Sequence, residues 1–298
     1  MKNLFTVLAL FVITVSCKKS SDYSPEIDLS KLPKIDSIAT NTEVVNFSDC
    51  PPSGFWGYST IYKFDYDSLS RITQLNIKHT SNNIISYSFT YNQNNQVVKM
   101  VSKQPPYRNS DSILLSYPSP GIIESTNYRA DANGFIWPEF LKFEKNQNKT
   151  SIYQIINNNG FPDTILKMHL HSNANGDIDS ALYLRHMPSE KNIVINEFYT
   201  NISNPYYSVY QRLGLPLFYL TGRGLYSIDL TQALSKHCIK TSNSKMYCRG
   251  SLVTLGPPFV FPESIFEFSS GKVVRINSSW GMPTYFGGIN RGATIAYK

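Results

Sequence analysis

The chain has 298 residues, of which 41% are hydrophobic and 13% aromatic, enough to form a buried core and to exclude a wholly disordered protein. Charged residues make up only 16%, against roughly 25% in an average globular chain, which argues against a coiled coil. The formal net charge is +7, but the basic residues are dispersed along the chain, so the sequence predicts no nucleic-acid partner.

Residues 1–16 have the pattern of a signal peptide. The short basic start Met1–Asn3 is followed by an apolar run from Leu4 to Val15. A helix of that length spans about 18 Å, too short for a hydrocarbon core of about 30 Å, so the run fits a signal peptide better than a membrane anchor. We therefore expect the protein to be exported from the cytoplasm.

The segment Val15-Ser16-Cys17 resembles a bacterial lipobox, in which a small residue precedes a cysteine that is lipidated and becomes the new N-terminus. Several acyl chains together hold a protein firmly on a membrane. The resemblance implies lipid anchoring to the cell outer membrane; ordinary cleavage beside an unmodified Cys17 is the alternative. We expect a lipidated N-terminus and flexible tether over residues 17–47, then a single β-rich domain over residues 48–298.

From residue 57 onward, apolar and polar side chains alternate with the period of a β-strand. Ile85–Tyr91 alternates cleanly, and Asn92–Asn95 has the composition of a turn. Similar strand pairs flank turns near residues 67–70 and 173–176. The pattern predicts an all-β fold, mainly an antiparallel β-meander, in the form of a large curved sheet or an open barrel.

One segment interrupts this alternation, near residues 205–236. Asn204-Pro205 precedes a stretch in which Leu213, Leu217 and Leu220 are too apolar for an exposed loop. We predict one short helical excursion there, packed on the sheet.

Several short motifs carry a resemblance to a known family. Tyr66-Asp67 followed by Arg71-Ile72 is similar to the strands of YD repeats, and Tyr91-Asn92 with Gln96-Val97 forms a loose second copy. Together with the lipobox, they resemble Bacteroidetes outer-membrane lipoproteins that carry a domain of unknown function. The resemblance covers about residues 55–280 and implies an extracytoplasmic, antiparallel β domain. It implies no activity and no functional residue.

The sequence contains no recognisable catalytic motif, and it predicts neither a metal site nor another cofactor. His169-Leu170-His171 places two imidazoles on one strand face. If Asn175-Gly176 is the turn of a hairpin, His169 lies opposite Leu182 and His171 opposite Ser180, too far from His186 to share an ion. Asp177 and Asp179 flank the same turn and are expected to cap it.

The expected function is that of an uncharacterised, non-enzymatic envelope lipoprotein whose β domain binds or scaffolds a glycan or an envelope protein. The many aromatic residues either fill the core or form a platform for sugar rings. The alternative is a polymer-degrading hydrolase with its site on the concave face of the sheet. A buried pair of acidic residues or a histidine–carboxylate pair in a cleft would favour the hydrolase.

Two cysteines suggest a disulfide bond. Cys238 and Cys248 are symmetric about Asn243, within a stretch of turn-like composition. A hairpin centred on Asn243 would bring the two cysteines opposite each other, at a distance that a disulfide can bridge. Two separate buried thiols are the alternative.

Five triplets of Asp, Ser or Thr, and an aliphatic residue resemble the O-glycosylation acceptor of Bacteroidetes. Asp followed by Ser is also favourable turn chemistry, which is the competing explanation. We expect Ser37 to be the most accessible acceptor, since it falls in the predicted tether. The five candidate acceptors are Ser37, Ser68, Ser112, Thr164 and Ser180.

Lipidation predicts a specific labelling result. Cells grown with a palmitate analogue should incorporate it into the wild-type protein but not into the Cys17→Ala variant, because the thiol of Cys17 is the expected attachment point. Label that persists in the variant would contradict the prediction.

Overall fold

The computed structural model describes residues 28–45, 55–79, 84–104, 108–130, 136–158, 161–184, 191–214, 230–248, 251–253, 265–283 and 288–298. They form seventeen strands, β1 to β17: Ile35–Val45, Phe55–Tyr66, Ile72–His79, Ile84–Tyr91, Val97–Gln104, Arg108–Ser119, Ile122–Ala130, Ile136–Asn146, Lys149–Asn158, Phe161–Ser172, Ile178–Leu184, Lys191–Ser203, His237–Cys248, Ser251–Val253, Ile265–Ser269, Lys272–Pro283 and Gly288–Tyr297. Two helices, α1 (Pro205–Leu213) and α2 (Leu230–Leu234), lie between β12 and β13. No described helix has the length and hydropathy needed to cross a lipid bilayer.

All of these strands belong to one antiparallel sheet. Each strand from β1 to β14 pairs with the next along the chain, β15 to β17 do the same, and β17 returns to pair with β1. The ring of Tyr199 on β12 lies 5.4 Å from that of Phe266 on β15, so the sheet curls enough to bring these two strands into contact. The predicted fold, an antiparallel meander in a large curved sheet with a short helical excursion, is confirmed.

Curling gives the sheet an inner face, which packs into one core, and an outer face. The alternation of side chains along each strand separates the two. On β2, Tyr62 and Phe64 are buried while Lys63 between them is exposed. On β3, Leu75 and Ile77 are buried, and on β8 Phe143 joins the same cluster. Only one face of an antiparallel sheet needs to be apolar, and the outer face mixes polar side chains with exposed apolar ones such as Ile61 and Leu114.

Six hairpin turns lie at one end of the sheet, which we call the turn end. They connect β2–β3, β4–β5, β6–β7, β8–β9, β10–β11 and β15–β16. In three of them a side-chain oxygen accepts two backbone N–H groups: Asp67 from Leu69 and Arg71, Asn92 from Asn94 and Gln96, and Asn173 from Asn175 and Asp177. Each turn then passes through a positive φ, at Ser70 (64°), Asn95 (59°) and Gly176 (84°). Asp and Asn are favoured at such turns because their side chains replace missing backbone partners.

Tyrosine hydroxyl groups fasten the strands at this end. Four of them donate to the carbonyl oxygen near the start of the neighbouring strand: Tyr66 to Ile35 (2.8 Å), Tyr91 to Ile72 (2.7 Å), Tyr117 to Val97 (2.8 Å) and Tyr297 to Val273 (2.9 Å). Burial raises the pKa of Tyr66 to about 12, so its hydroxyl keeps the proton that it donates. In the pattern of Tyr followed by Asp or Asn, the tyrosine therefore bonds to the neighbouring strand and the next residue closes the turn.

Arg212, near the end of α1, contacts several parts of the turn end at once. It is 2% exposed, and its guanidinium stacks 5.4 Å from the ring centre of Tyr66. Its N–H groups donate, over 2.8–3.3 Å, to the carbonyl oxygens of five residues: Leu29, Leu32, Pro33, Ser70 and Ser208. Arg212 thereby joins three separate parts of the chain: the segment before β1, the β2–β3 turn and α1.

The prediction of a tether over residues 17–47 is wrong for its last part. Residues 35–45 form β1, which is paired on both sides, with β2 and with β17. Ile35 and Ile38 are fully buried in the core. The outward-facing residues of β1 are small or polar, which gave the segment the composition of a linker. The assignment of residues 17–27 concerns a part of the chain outside the described residues.

Replacing Arg212 should destabilise the protein severely. Arg212→Ala leaves buried carbonyl oxygens without donors, and we expect the free energy of unfolding to fall by at least about 3 kcal/mol. The matched control is Arg275→Ala, which removes an exposed arginine that pairs with Glu267 and should change stability by about 0.5 kcal/mol or less. Urea denaturation followed by tryptophan fluorescence measures both. Equal losses in the two variants would refute the role assigned to Arg212.

Candidate functional site

The inner face changes character along the strands. Near the turn end and in the middle it is apolar, with Phe64, Leu75, Phe89 and Phe143 all buried. Farther from the turn end it carries polar side chains, of which four are buried and three half-buried: Thr60, Ser102, Ser125, Asn127, His79, Glu139 and Gln154. Buried polar groups are costly unless they are hydrogen-bonded, so this half of the inner face is a candidate for ligand contact.

Three of these side chains form a hydrogen-bonded cluster across β7, β8 and β9, which we call the inner polar cluster. Asn127 Nδ2 donates to Glu139 Oε2 (3.1 Å), and Gln154 Nε2 donates to Glu139 Oε1 (3.4 Å). Asn127 and Glu139 are direct cross-strand partners, and Gln154 faces the same interior because its partner Leu141 is buried. The pleat of three adjacent strands therefore places a carboxylate between two amides.

The amide of Asn127 has unused capacity. Its side chain is 0% exposed, and because its Nδ2 must point at the acceptor-only carboxylate, its Oδ1 points elsewhere. That oxygen has no hydrogen-bond partner among the described residues. An unpaired buried acceptor costs about 1–3 kcal/mol. Chemically, the cluster offers fixed acceptors and amide groups for a hydroxyl-rich molecule.

Another polar contact lies on the same half of the inner face. Thr60 Oγ1 and His79 Nδ1 are 3.1 Å apart, on the paired residues of β2 and β3. Burial lowers the pKa of His79, which favours the neutral imidazole at pH 7. A neutral ring can both donate and accept a hydrogen bond, and it adds no buried charge.

His169 and His171 lie opposite the partners that the hairpin geometry predicted, on the outer face of β10. His169 pairs with Leu182 and His171 with Ser180, so the predicted register is confirmed. His169 Nδ1 lies 2.9 Å from Ser151 Oγ, and His171 Nδ1 lies 2.7 Å from Asp179 Oδ1. Burial, then the nearby Lys149 and His171, lower the pKa of His169. No three potential metal ligands cluster in the part of the chain that the structure describes. His186 is outside that part.

The sequence analysis missed a histidine–carboxylate pair at the turn end. Asp177 is fully buried; its Oδ1 accepts the backbone N–H of His237 (2.8 Å), and its Oδ2 lies 2.8 Å from His237 Nδ1. Asp177 was expected only to cap its own turn, whereas it joins the β10–β11 turn to the start of β13, sixty residues later. Since the carboxylate also holds a backbone N–H, the pair acts as a clamp between strands. The sequence analysis could not identify this pair, because its two residues are sixty positions apart.

The candidate glycosylation acceptors are unequally accessible. Ser68, in the β2–β3 turn, and Thr164, on β10, are exposed, whereas Ser112 and Ser180 are half-buried. Ser37, expected to be the most accessible, is half-buried within β1, so that expectation is wrong. In the triplet Asp67-Ser68-Leu69, the Asp67 carboxylate accepts hydrogen bonds from the backbone N–H groups of Leu69 and Arg71, which agrees with the turn explanation. Cys17 lies outside the described residues.

The predicted disulfide between Cys238 and Cys248 is wrong. Residues 237–248 form one continuous strand, β13, and Thr241 to Ser244 pair with β12 in mid-strand instead of turning. Ten residues of extended strand span about 33 Å, whereas a disulfide needs Cα atoms within about 7 Å. Cys238 is a buried free thiol, and burial raises its pKa to about 12. The turn-like residues Ser242 and Asn243 are tolerated because the strand is held by its neighbour.

Comparisons with known proteins give limited information. No protein-family model and no curated protein matches the chain. Two crystal structures of porin-like proteins are similar to it at 10% sequence identity. The one from Bacteroides uniformis has a TM-score of 0.40 and covers 90% of this chain and 100% of that chain. The one from Bacteroides vulgatus has a TM-score of 0.42, with 87% and 98% covered. With TM-scores this low, nothing about this chain is inferred from either protein.

The state of Cys238 predicts its reactivity. In the folded protein at pH 8, iodoacetamide should alkylate Cys238 more than about a hundredfold more slowly than after denaturation, because the reactive species is the thiolate. Peptide mapping without reductant should show the Cys238 peptide fully alkylated once the protein is unfolded. Detection of a disulfide-linked peptide that contains both Cys238 and Cys248 would show that the bond forms and would contradict the continuous strand.

Proposed function

We propose that this protein is an envelope lipoprotein, anchored through Cys17, whose β domain binds a hydroxyl-rich ligand such as a glycan without catalysing its turnover. The observation that carries the binding role is the inner polar cluster, in which the half-buried Glu139 accepts hydrogen bonds from the amides of Asn127 and Gln154. Carboxylate and amide groups recognise sugar hydroxyls through several hydrogen bonds at once.

The surroundings of the cluster support this proposal. The outer face carries polar side chains such as Lys63, Gln74 and Lys99 beside exposed apolar ones such as Ile61 and Leu114. The interior combines an apolar floor with polar groups above it, the composition typical of small-molecule sites. Both oxygens of Glu139 are engaged by amides, an arrangement suited to holding a hydroxyl group in place.

A hydrolase is the second candidate, favoured by one observation. Glu139 pairs with Asn127 on one side. On the other side the next residues, Phe140 and Ile155, are paired, so Glu139 is adjacent to Ile156, the partner of Asp163 on β10. Two strand spacings separate the two backbones by about 10 Å on one face, close to the separation of the paired carboxylates of inverting glycosidases. Asp163 is exposed, whereas Glu139 is half-buried.

Glycan binding is tested with the wild-type protein on a panel of immobilised oligosaccharides and polysaccharides. For a glycan that binds, Glu139→Gln and Asn127→Ala should each raise the dissociation constant at least about tenfold, because each removes a hydrogen bond to a desolvated polar or charged group. The matched control is Glu144→Gln, on the outer face of the same strand, which should leave binding unchanged.

The same samples decide between binding and hydrolysis. Release of reducing ends that is abolished by both Glu139→Gln and Asp163→Asn would establish the hydrolase. Binding without release, reduced by Glu139→Gln but not by Asp163→Asn, supports the binding role. If no glycan binds, or if Glu144→Gln weakens binding as much as Glu139→Gln, the proposed site is wrong.

A further inference from the structure

The chain enters the folded domain at the turn end. Residues 28–34 lie against α1 and the β2–β3 turn, because Arg212 holds the carbonyl oxygens of Leu29, Leu32 and Pro33. Only ten residues separate Cys17 from Asp28. Fully extended, that length of chain spans at most about 40 Å. A lipid on Cys17 would therefore keep the turn end, and not the opposite end, near the membrane surface.

The turn end is also basic. Among the described residues that form its turns and chain ends outside the two helices, eight are basic and three are acidic: residues 28–34, 67–71, 92–96, 119–122, 145–149, 173–177, 235–236, 269–272 and 298. Of the three acidic residues, Asp177 is buried against His237 and Asp67 is paired with Arg71.

Four lysines make up most of the available charge, and we call them the turn-end lysines: Lys145, Lys149, Lys236 and Lys272. All four are exposed, and none forms an ion pair with a carboxylate in the described part of the chain. They flank the β8–β9 turn, the β15–β16 turn and the start of β13, so they occupy three places along the turn end. A lysine close to an anionic bilayer contributes about 1 kcal/mol of attraction, and several act together.

We propose that the turn end is a docking surface for anionic phospholipid headgroups, which holds the domain upright on its own membrane. The inference rests on the proposed function only for the lipid anchor at Cys17. In this orientation the six tight turns face the bilayer, and the polar half of the inner face, with Glu139, lies farther from it. The anchor supplies proximity and the turn-end lysines supply the orientation.

The experiment uses the mature chain from residue 17 with Cys17→Ala, so that no acyl chain contributes to binding. Co-sedimentation is measured with vesicles of phosphatidylcholine alone and with vesicles containing about 30% phosphatidylglycerol. We expect binding only to the anionic vesicles, weakening as salt rises, because Coulomb attraction to the surface is screened. Replacing all four turn-end lysines with glutamine should weaken this binding at least about tenfold.

A matched variant separates location from net charge. Lys63, Lys78, Lys103 and Lys245 are exposed on strands, away from the turns, and replacing these four with glutamine changes the net charge equally. This variant should bind nearly as well as the parent chain. Equal loss in both variants, or binding that ignores phosphatidylglycerol, overturns the proposal. Since no acyl group and no glycan is present, that outcome would leave lipidation at Cys17 and glycan binding at Glu139 to be judged by their own experiments.

Discussion

The organisation of the turn end depends on one buried cation. The Arg212 guanidinium is almost completely enclosed, and its described hydrogen-bond partners are carbonyl oxygens rather than a carboxylate. Such a group is costly to bury unless every N–H finds an acceptor. The chain meets that requirement only if the segment before β1, the β2–β3 turn and α1 come together. One side chain thus sets where the domain begins, how α1 packs and where the N-terminal chain leaves it.

Around this point the sheet is asymmetric from end to end. At the turn end, Asp67, Asn92 and Asn173 close tight turns with their side chains, and tyrosine hydroxyls fasten neighbouring strands. The inner face is apolar for the first part of the strands and becomes polar farther along, where Asn127, Glu139 and Gln154 meet. Structural and binding demands are thereby separated along the strand direction. The turn end stabilises the strands that carry the inner polar cluster, although its own residues are not part of that cluster.

Strand by strand, the sequence was informative wherever period-two alternation coincided with turn chemistry. The cross-strand partners of His169 and His171 were predicted correctly from an Asn175-Gly176 turn. The observed turn is longer, spanning residues 173–177, and a register shift between His171 and Ser172 restores the predicted pairing. The same reasoning failed at Ser242 and Asn243, where turn-like residues lie within a strand. There, backbone pairing with β12 outweighs local preference, which is weak for β-structure. It failed at Ser37 and its neighbours because a strand with one polar face resembles a linker in composition.

The sequence by itself determined the all-β class, the meander and the position of its helical excursion, since alternation, turn residues and Asn204-Pro205 are local signals. The tertiary structure alone decided which polar residues matter. Asn127, Glu139 and Gln154 are unremarkable along the chain and form a cluster only because three strands lie side by side. Asp177 and His237, or Arg212 and Leu29, are joined across 60 and 183 residues. Short-range patterns carry no information about such pairs, because burial and sheet closure create them.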